Sequence, residues 1–479
     1  MNYRMIFYVL GSVMKVEGLL MLLPLCTGLF YGEPVLKTFG LTMAILLALG
    51  FLLTWKRPAR QSFYAKEGFL VVALGWVVLS FFGALPFWWS GEFGRFADCF
   101  FEAVSGFTTT GATVLTDVEA ISRGLLMWRS FTHWVGGMGV LVFLLAILPM
   151  AGQYSIYLMR AESPGPSVGK LVPRLRETAS ILYRIYMVMT AVLIILLMLL
   201  GLSPFDSLIH AFGTAGTGGF SNYAASVAHF GSPAVEWLIG VAMLLFGVNF
   251  SLFYLVCAGQ LAQALKSEEL RWYLLIVFGS VALVVANVHQ QFLGARETLR
   301  AAFFQVSSII TTTGFSTVDF NLWPQFSKNL LLLLMFVGAC AGSTAGGIKV
   351  SRLILMVKSV AQSIKALLHP RAVTLVKMDG KVAEFEVLAG VFAYIVCYIL
   401  ILCSSVLLIS LEPITLEESL SAVMTSMGNV GPGLGRFGPA GSFASLGSPA
   451  KYLLSLDMLF GRLEIFPMLV LLLSWRRRQ

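Results

Sequence analysis

The sequence predicts an all-α polytopic membrane protein. Two N-terminal helices precede four pseudo-symmetric helix, pore-helix, filter and helix repeats around one central pore, about ten transmembrane helices in all. Three observations predict it. Of 479 residues, 58% are hydrophobic and only 12% charged, with a mean hydropathy of +0.84, a balance foreign to soluble domains of this length. Apolar runs of about 20 residues, enough to cross a bilayer, recur from end to end. Between them stand four glycine- and threonine-rich segments, roughly 100 residues apart, a period too long for a solenoid.

Residues 1–60 hold two apolar runs, near 5–30 and 37–55. The first is too long for a signal-peptide core and lacks a small-residue cleavage site, so it reads as a retained helix. Residues 61–155 form the first repeat, with spans near 68–90 and 123–149 and a short helix at 96–107. The second repeat, 156–265, has spans near 180–201 and 233–262 and a short helix at 204–215. The third, 266–365, has spans near 270–290 and 326–358 and a short helix at 296–310. The fourth, 366–479, has spans near 385–411 and 446–475 and a short helix at 416–427. The short helices cannot span, so each enters and returns on one side. A β-barrel is excluded, because its strands would alternate apolar and polar residues over about 10 positions.

The formal net charge of +9 is concentrated in alternating connections. Lys56, Arg57, Arg60 and Lys66 share one; Arg160, Lys170, Arg174, Arg176 and Arg184 the next. Lys266 and Arg271 mark a third, Lys358, Lys365, Arg371, Lys377 and Lys381 a fourth, and Arg476, Arg477 and Arg478 close the chain. An even number of crossings leaves both termini on one side, which gathers all these connections on the cytoplasmic face. The returns on the other side carry acids: Glu92, Asp98, Glu102, Asp117, Glu119, Asp206, Asp319, Glu412, Glu417 and Glu418. They suit an outer mouth that concentrates cations, or ordinary solvated loops.

Several function classes fall away. No loop is long enough to fold a basic face, which argues against nucleic acid. The six cysteines lack C-x-x-C spacing and the five histidines are scattered, so no metal cluster is visible. No H-E-x-x-H motif or paired carboxylate within one span supports an enzyme, and no cofactor motif appears.

The glycines Gly111, Gly219, Gly314 and Gly431 occupy equivalent places in the four segments. Glycine permits positive φ and close backbone approach. Thr109, Thr110, Thr217, Thr312 and Thr313 add hydroxyl oxygens, and Gly218, Asn429 and Val430 complete the equivalent positions. Converging on one axis, such segments would replace the hydration shell of a cation with carbonyl oxygens. Singly, each reads as a turn capping a re-entrant loop.

A second motif runs from Gly338 to Lys349, Gly-Ala-Cys-Ala-Gly-Ser-Thr-Ala-Gly-Gly-Ile-Lys. Each glycine costs about 1 kcal/mol relative to alanine inside a helix, so a broken helix is expected at membrane depth, where breaks line cavities. A glycine-rich packing face is the other reading. Lys349 either contacts this segment or extends to the interface. Arg462 lies inside the final apolar run, and its i±3 and i±4 neighbours, Met458, Leu459, Ile465 and Phe466, carry no acid. Its partner therefore lies across helices or in a pore, with Glu464 or Asp457 as candidates for a buried pair. Glycines within Ser130–Gly139 suit close helix packing, and His133 among them reads as an interior residue rather than a ligand. Lys15 and Glu17 cannot pair, being two residues apart.

Along its whole length the chain resembles the Trk/Ktr/HKT superfamily of potassium transporters, most closely its TrkH-type bacterial subunits, which the two extra N-terminal helices separate from Ktr-type members. The resemblance implies K⁺ as the transported ion. It implies a filter of Thr109, Thr110 and Gly111; Thr217, Gly218 and Gly219; Thr312, Thr313 and Gly314; and Asn429, Val430 and Gly431. The last segment departs from Thr-Thr-Gly, as the family's degenerate fourth filter does, and Pro432 lacks an N–H, so the ring is not strictly fourfold. Gly338, Gly342, Ser343, Thr344, Gly346 and Gly347 would form an intramembrane gating loop, 338–347, ending near Lys349. Arg462 would be a cationic barrier below the filter that limits flux or locks onto loop carbonyls. The family also implies a homodimer in the lipid of the bacterial inner membrane, both termini cytoplasmic. A cytoplasmic TrkA-type nucleotide-binding subunit would dock on the basic connections after residues 158 and 358. The alternative is an H⁺- or Na⁺-coupled secondary transporter of another cation or solute. That class favours inverted repeats, whereas these copies run the same way; symport itself stays open.

Overall fold

The computed structural model describes residues 2–58, 65–139, 175–292, 294–371 and 374–476. Within them the chain is helical apart from loops, short 3₁₀ turns and a small hairpin, β1 (Lys377–Met378) paired with β2 (Lys381–Val382). The basic residues Arg60, Arg160, Lys170, Arg174, Arg477 and Arg478, the connection after residue 158 and the end of the expected 123–149 span lie outside the described residues.

The first apolar run is one continuous helical stretch, Tyr3–Phe30, where a span is expected at 5–30, with a local irregularity at Met21 that divides it into α1 (Tyr3–Leu20) and α2 (Leu22–Phe30). Pro24 is the reason: it has no N–H to donate and its ring crowds the carbonyl four residues back, at Leu20. α3 (Leu36–Thr54) packs along α1. The approach is close enough that a methyl on Gly50 would stand 2.8 Å from the Gly11 carbonyl oxygen.

The remainder alternates long apolar helices with short buried ones. α4 (Ala65–Ser90), α5 (Phe96–Phe107) and α6 (Arg123–Gly137) come first, then α7 (Leu175–Leu199), α8 (Pro204–Ala215), α9 (Pro233–Phe246) and α10 (Phe250–Cys257). α11 (Leu261–Leu265) leads to α12 (Glu268–Val288), α13 (Ala295–Ile310), α14 (Gln325–Val337) and α15 (Val350–Leu368). α16 (Phe385–Ile409), α17 (Leu416–Gly428), α18 (Ser448–Arg462) and α19 (Phe466–Arg476) complete the chain.

The short helices α5, α8, α13 and α17 begin with defined caps in two cases. The Ser203 hydroxyl accepts from Asp206 N, and Thr415 with Glu418 forms a capping box. Each short helix packs against the helix before it, the helix after it, and the helix that follows the previous short helix: α8 against α7, α9 and α6; α13 against α12, α14 and α9; α17 against α16, α18 and α14; α5 against α4, α6 and α18. The long helices α7 and α16 lie outermost, with only 22% of their most apolar stretch buried. Apolar side chains left exposed there match a hydrocarbon surround.

Six continuous helical stretches among the described residues are long and apolar enough to cross a membrane: Tyr3–Phe30, Leu36–Thr54, Lys66–Ser90, Glu177–Leu199, Glu268–Gln291 and Phe385–Ile409. The pair α9 and α10, bent by 94°, makes a seventh if its two helices are taken as one broken span rather than a re-entrant loop. The expectation of about ten includes runs that the structure breaks. The 233–262 run is not continuous but turns at Gly247–Asn249, and the 446–475 run breaks at Leu463–Ile465, where Glu464 and Ile465 have φ of 57° and 64°. The expected break after Gly338 separates α14 from α15.

Candidate functional site

Each short buried helix ends in the same way. Thr109, Thr217, Thr312 and Asn429 are left-handed, with φ of 56°, 54°, 56° and 55°. The residue after each donates its N–H back across the last turn: Thr110 to Ser105, Gly218 to Gly213, Thr313 to Ser308 and Val430 to Thr425, at 2.8–2.9 Å. This is the Schellman closure, which satisfies carbonyls that a helix end would otherwise leave open. Its left-handed position usually takes glycine; a β-branched threonine there costs about 1–3 kcal/mol. Three such costs, at Thr109, Thr217 and Thr312, with Asn429 at the fourth equivalent position, mark a geometry held by the surrounding fold.

Gly111, Gly219, Gly314 and Gly431 follow two residues later, with φ of 81°, 74°, 82° and 104°. They meet in chain order. A methyl on Gly111 would stand 1.9 Å from the Gly218 carbonyl oxygen, on Gly219 1.9 Å from that of Thr313, on Gly314 2.1 Å from that of Val430, and on Gly431 2.7 Å from that of Thr110. The contacts close a ring: each glycine faces the carbonyl just before the next glycine, and the last returns to the first. No side chain fits between the segments. A cavity of about 120 Å³, lined by all four glycines, opens on one side of the ring.

Side chains wedge the ring from behind. The His133 ring is in contact distance of Gly218, with Nδ1 2.8 Å from the Gly106 carbonyl, and stacks on Phe220 at 4.2 Å. Gly136 lets α6 lie on the end of α5, since a methyl there would stand 1.8 Å from the Phe107 carbonyl oxygen. The Asn429 amide donates to Thr110 Oγ1 and to the Met458 carbonyl, both at 3.0 Å, tying the fourth segment to the first and to α18. Thr108 with Thr110, and Thr311 with Thr313, share hydroxyl hydrogen bonds of 2.8 Å. The Thr217 hydroxyl donates to the Gly216 carbonyl, and Thr109 Oγ1 has no protein partner among the described residues.

The Gly338–Lys349 segment sits directly against this ring. Gly346 N donates to Thr312 Oγ1 at 2.7 Å, and a methyl on Gly346 would stand 2.5 Å from the Gly428 carbonyl oxygen. Gly338, Gly342, Gly347 and Lys349 have positive φ, so the chain folds back on itself. Its ends meet through Lys349 N to the Val337 carbonyl and Val350 N to the Ala339 carbonyl, each at 3.0 Å. The Ser343 hydroxyl donates to the Cys340 carbonyl, and that of Thr344 to the Phe246 carbonyl. The bend between α9 and α10 receives the loop: Cys340 N donates to the Gly247 carbonyl and Phe250 N to the Gly342 carbonyl. Broken backbone on each side thus satisfies the other, as buried N–H and C=O groups require.

Arg462, at the end of α18, donates to the Thr344 carbonyl at 2.8 Å and to the Gly136 and Gly137 carbonyls at 2.6 Å each. It thereby joins the loop to α6. Of the two acids considered for it, Glu464 forms an ion pair with Arg352, and Asp457 accepts from Ser405 Oγ. Lys349 does not extend to the interface: it is buried, and its ammonium donates to the Ala345 carbonyl.

Two positions escaped the sequence reading. Glu269 accepts from Ala341 N at 2.7 Å and Ser351 N at 3.0 Å, clasping both ends of the loop; in sequence it is one of two acids opening an apolar run. Glu102, read as an acid of the outer mouth, is fully buried and paired with Arg129. Other mouth acids are also engaged: Asp98 with Lys451, Glu417 with Lys328, Glu418 with Arg436, and Asp206 with Asn222. No group of three or more His, Cys, Asp or Glu residues arranged for a metal ion occurs among the described residues.

Residues 36–475 match the model of the TrkH family, described as cation transport protein. The Trk system potassium uptake protein TrkH of Salmonella typhimurium is 37% identical over 98% of both chains. TrkG of Escherichia coli, also a Trk system potassium uptake protein, is 34% identical over 98% of both. The crystal structure of the potassium transporter TrkH from Vibrio parahaemolyticus superposes with a TM-score of 0.89 at 34% identity, covering 98% of this chain and 99% of that one. With its buried glycine ring, its broken helices and this similarity over nearly its whole length, the chain belongs to the TrkH family of cation transport proteins.

Proposed function

We propose that this chain takes up K⁺ across the bacterial inner membrane through a pore built by one polypeptide. The observation that carries the reading is the closed ring of Gly111, Gly219, Gly314 and Gly431 against one another's neighbouring carbonyls. In this reading the four helix, pore-helix, filter and helix repeats surround the pore with approximate fourfold symmetry. Their carbonyls, with the Thr109 hydroxyl, replace the hydration shell of the ion. The relatives' potassium uptake supports K⁺ as the ion.

The Gly338–Gly347 loop and Arg462 act as the gate beneath the filter. The guanidinium repels cations, and its bonds to the Thr344, Gly136 and Gly137 carbonyls hold the loop closed. Freeing those carbonyls by moving Arg462 opens the path. Both termini are cytoplasmic, by the distribution of basic connections. A TrkA-type nucleotide-binding subunit on that face controls the gate, and the exposed apolar faces of α7 and α16 meet lipid or a second copy in a homodimer.

The test is ⁸⁶Rb⁺ flux into liposomes holding the purified protein, with K⁺ and Na⁺ as competitors. Flux blocked by K⁺ but not Na⁺, with that preference lost in Gly314→Ser, supports the reading. Absence of Rb⁺ flux under any gradient, even with Arg462→Ala added, rejects it.

A further inference from the structure

The ninth residue before each ring glycine differs in every segment: Glu102, His210, Gln305 and Ala422. All four are fully buried, each on the short helix behind its segment. Register is therefore shared while chemistry is not. Glu102 Oε1 accepts from Thr113 Oγ1 at 2.9 Å, and Oε2 from Val114 N at 2.9 Å. His210 Nε2 lies 3.0 Å from Ser221 Oγ, at the place equivalent to Thr113. Among the described residues Gln305 reaches only the Val318 carbonyl, at 3.4 Å, and Ala422 has no polar group to offer.

Glu102 alone among these four is charged, and its counterion is shared between segments. Arg129 Nε donates to Glu102 Oε1 at 2.5 Å, while Nη1 donates to the Ser221 carbonyl at 2.9 Å. The guanidinium carbon lies 3.5 Å from the centre of the Phe220 ring. Thr113 and Val114 leave the first ring segment; Phe220 and Ser221 leave the second. One ion pair thus ties the outer ends of two neighbouring segments. Arg129 also lines the cavity above the glycines, so Glu102 neutralises a cation that would otherwise face incoming cations.

We infer that the Glu102–Arg129 pair is a positioning and specificity-determining element of the cation path, holding the first two segments at the spacing that separates K⁺ from Na⁺. The inference rests on the filter reading proposed above. Carbonyl number and flexibility govern such selectivity, and a tether across one of four junctions acts on flexibility without touching the ion. Arg129 and Glu102 act through Thr113, Val114 and Ser221; they are positioning residues. A buried pair that served packing alone would affect stability and leave selectivity untouched.

The experiment is ⁸⁶Rb⁺ uptake by the full chain in liposomes, with K⁺ and Na⁺ as competitors. It compares wild type with Thr113→Val, Arg129→Lys, Glu102→Gln and the double variant Glu102→Gln/Arg129→Gln, normalised to folded protein. Wild type tests the underlying reading: without K⁺-competed uptake that reading fails before any variant matters. Given it, the preference for K⁺ over Na⁺ falls about tenfold in Arg129→Lys and Glu102→Gln and about threefold in Thr113→Val, the scale of one hydrogen bond to a charged group. Glu102→Gln also raises the half-saturating Rb⁺ concentration, and the double variant restores that concentration without restoring the preference. Wild-type preference in Arg129→Lys and Thr113→Val, whatever their melting temperatures, overturns the inference. Should the charge variants fail to insert, Thr113→Val, nearly isosteric and lacking the hydroxyl that donates to Glu102 and accepts from Leu115 N, decides alone.

Discussion

The glycine ring and the loop packed against it both hold buried non-helical backbone, by opposite means. The ring repeats one local motif: a short helix, a left-handed residue, a bond back across the last turn, then a glycine. Its partners within each segment lie five residues apart. The loop repeats nothing. Besides the bonds that close it on itself, it bonds to Glu269, Gly247, Phe246, Thr312 and Arg462, all distant in sequence. Under the proposed function, repetition suits a filter that presents equivalent oxygens to one ion, and asymmetry suits a gate with two states, because a few long-range bonds can break together.

That contrast predicts where substitutions act. The largest effect belongs to the ring. Gly111→Ala and Gly219→Ala push a methyl to 1.9 Å from a carbonyl oxygen, against 2.7 Å for Gly431→Ala. With φ strain added, the first two lower ⁸⁶Rb⁺ uptake about a hundredfold or more and the last about tenfold. An equal or larger loss in Gly431→Ala breaks the link between ring contact and conduction.

Next comes the lock. Arg462→Gln removes charge-assisted bonds to three carbonyls and raises uptake about tenfold with K⁺ preference unchanged. A changed preference in that variant means that ring and loop are one unit rather than two. Smaller again is Glu269→Gln, which weakens the clasp on Ala341 and Ser351. It lowers stability by about 1–3 kcal/mol, read as a fall in melting temperature in detergent, and raises basal uptake less than Arg462→Gln does. Smallest is Asn429→Ala. Losing the bonds to Thr110 Oγ1 and the Met458 carbonyl costs about 1 kcal/mol each at most. The preference for K⁺ falls only if the fourth segment shifts; an unchanged preference assigns Asn429 to anchoring α18.

The legibility of these regions differs for the same reason. Thr-Thr-Gly repeated between apolar runs announces non-helical chain, because threonine and glycine both disfavour helix and the break is local. The glycine-rich run after Gly338 is legible likewise. The breaks at Gly247–Asn249 and Glu464–Ile465 were not. Phe246, Val248 and Phe250 continue an apolar run, and only the loop packed against it gives the freed N–H and C=O groups somewhere to go. Glu102 reads as one more acid in a solvated return; nothing in its neighbours reveals Arg129, 27 residues on, waiting across the interface.

By itself the sequence determined the helical membrane class, the short helix before each glycine segment, and the breaks at those segments and after Gly338. Those follow from hydropathy, length and backbone propensity, which act within a turn or a span. Only the tertiary structure decided that four distant glycines close a ring in chain order, that Arg462 reaches the loop and α6 together, and that a buried carboxylate pairs across two segments. The physical reason is burial: in a low-dielectric interior every polar group must find a partner, and which partner it finds depends on how helices far apart in sequence are brought side by side.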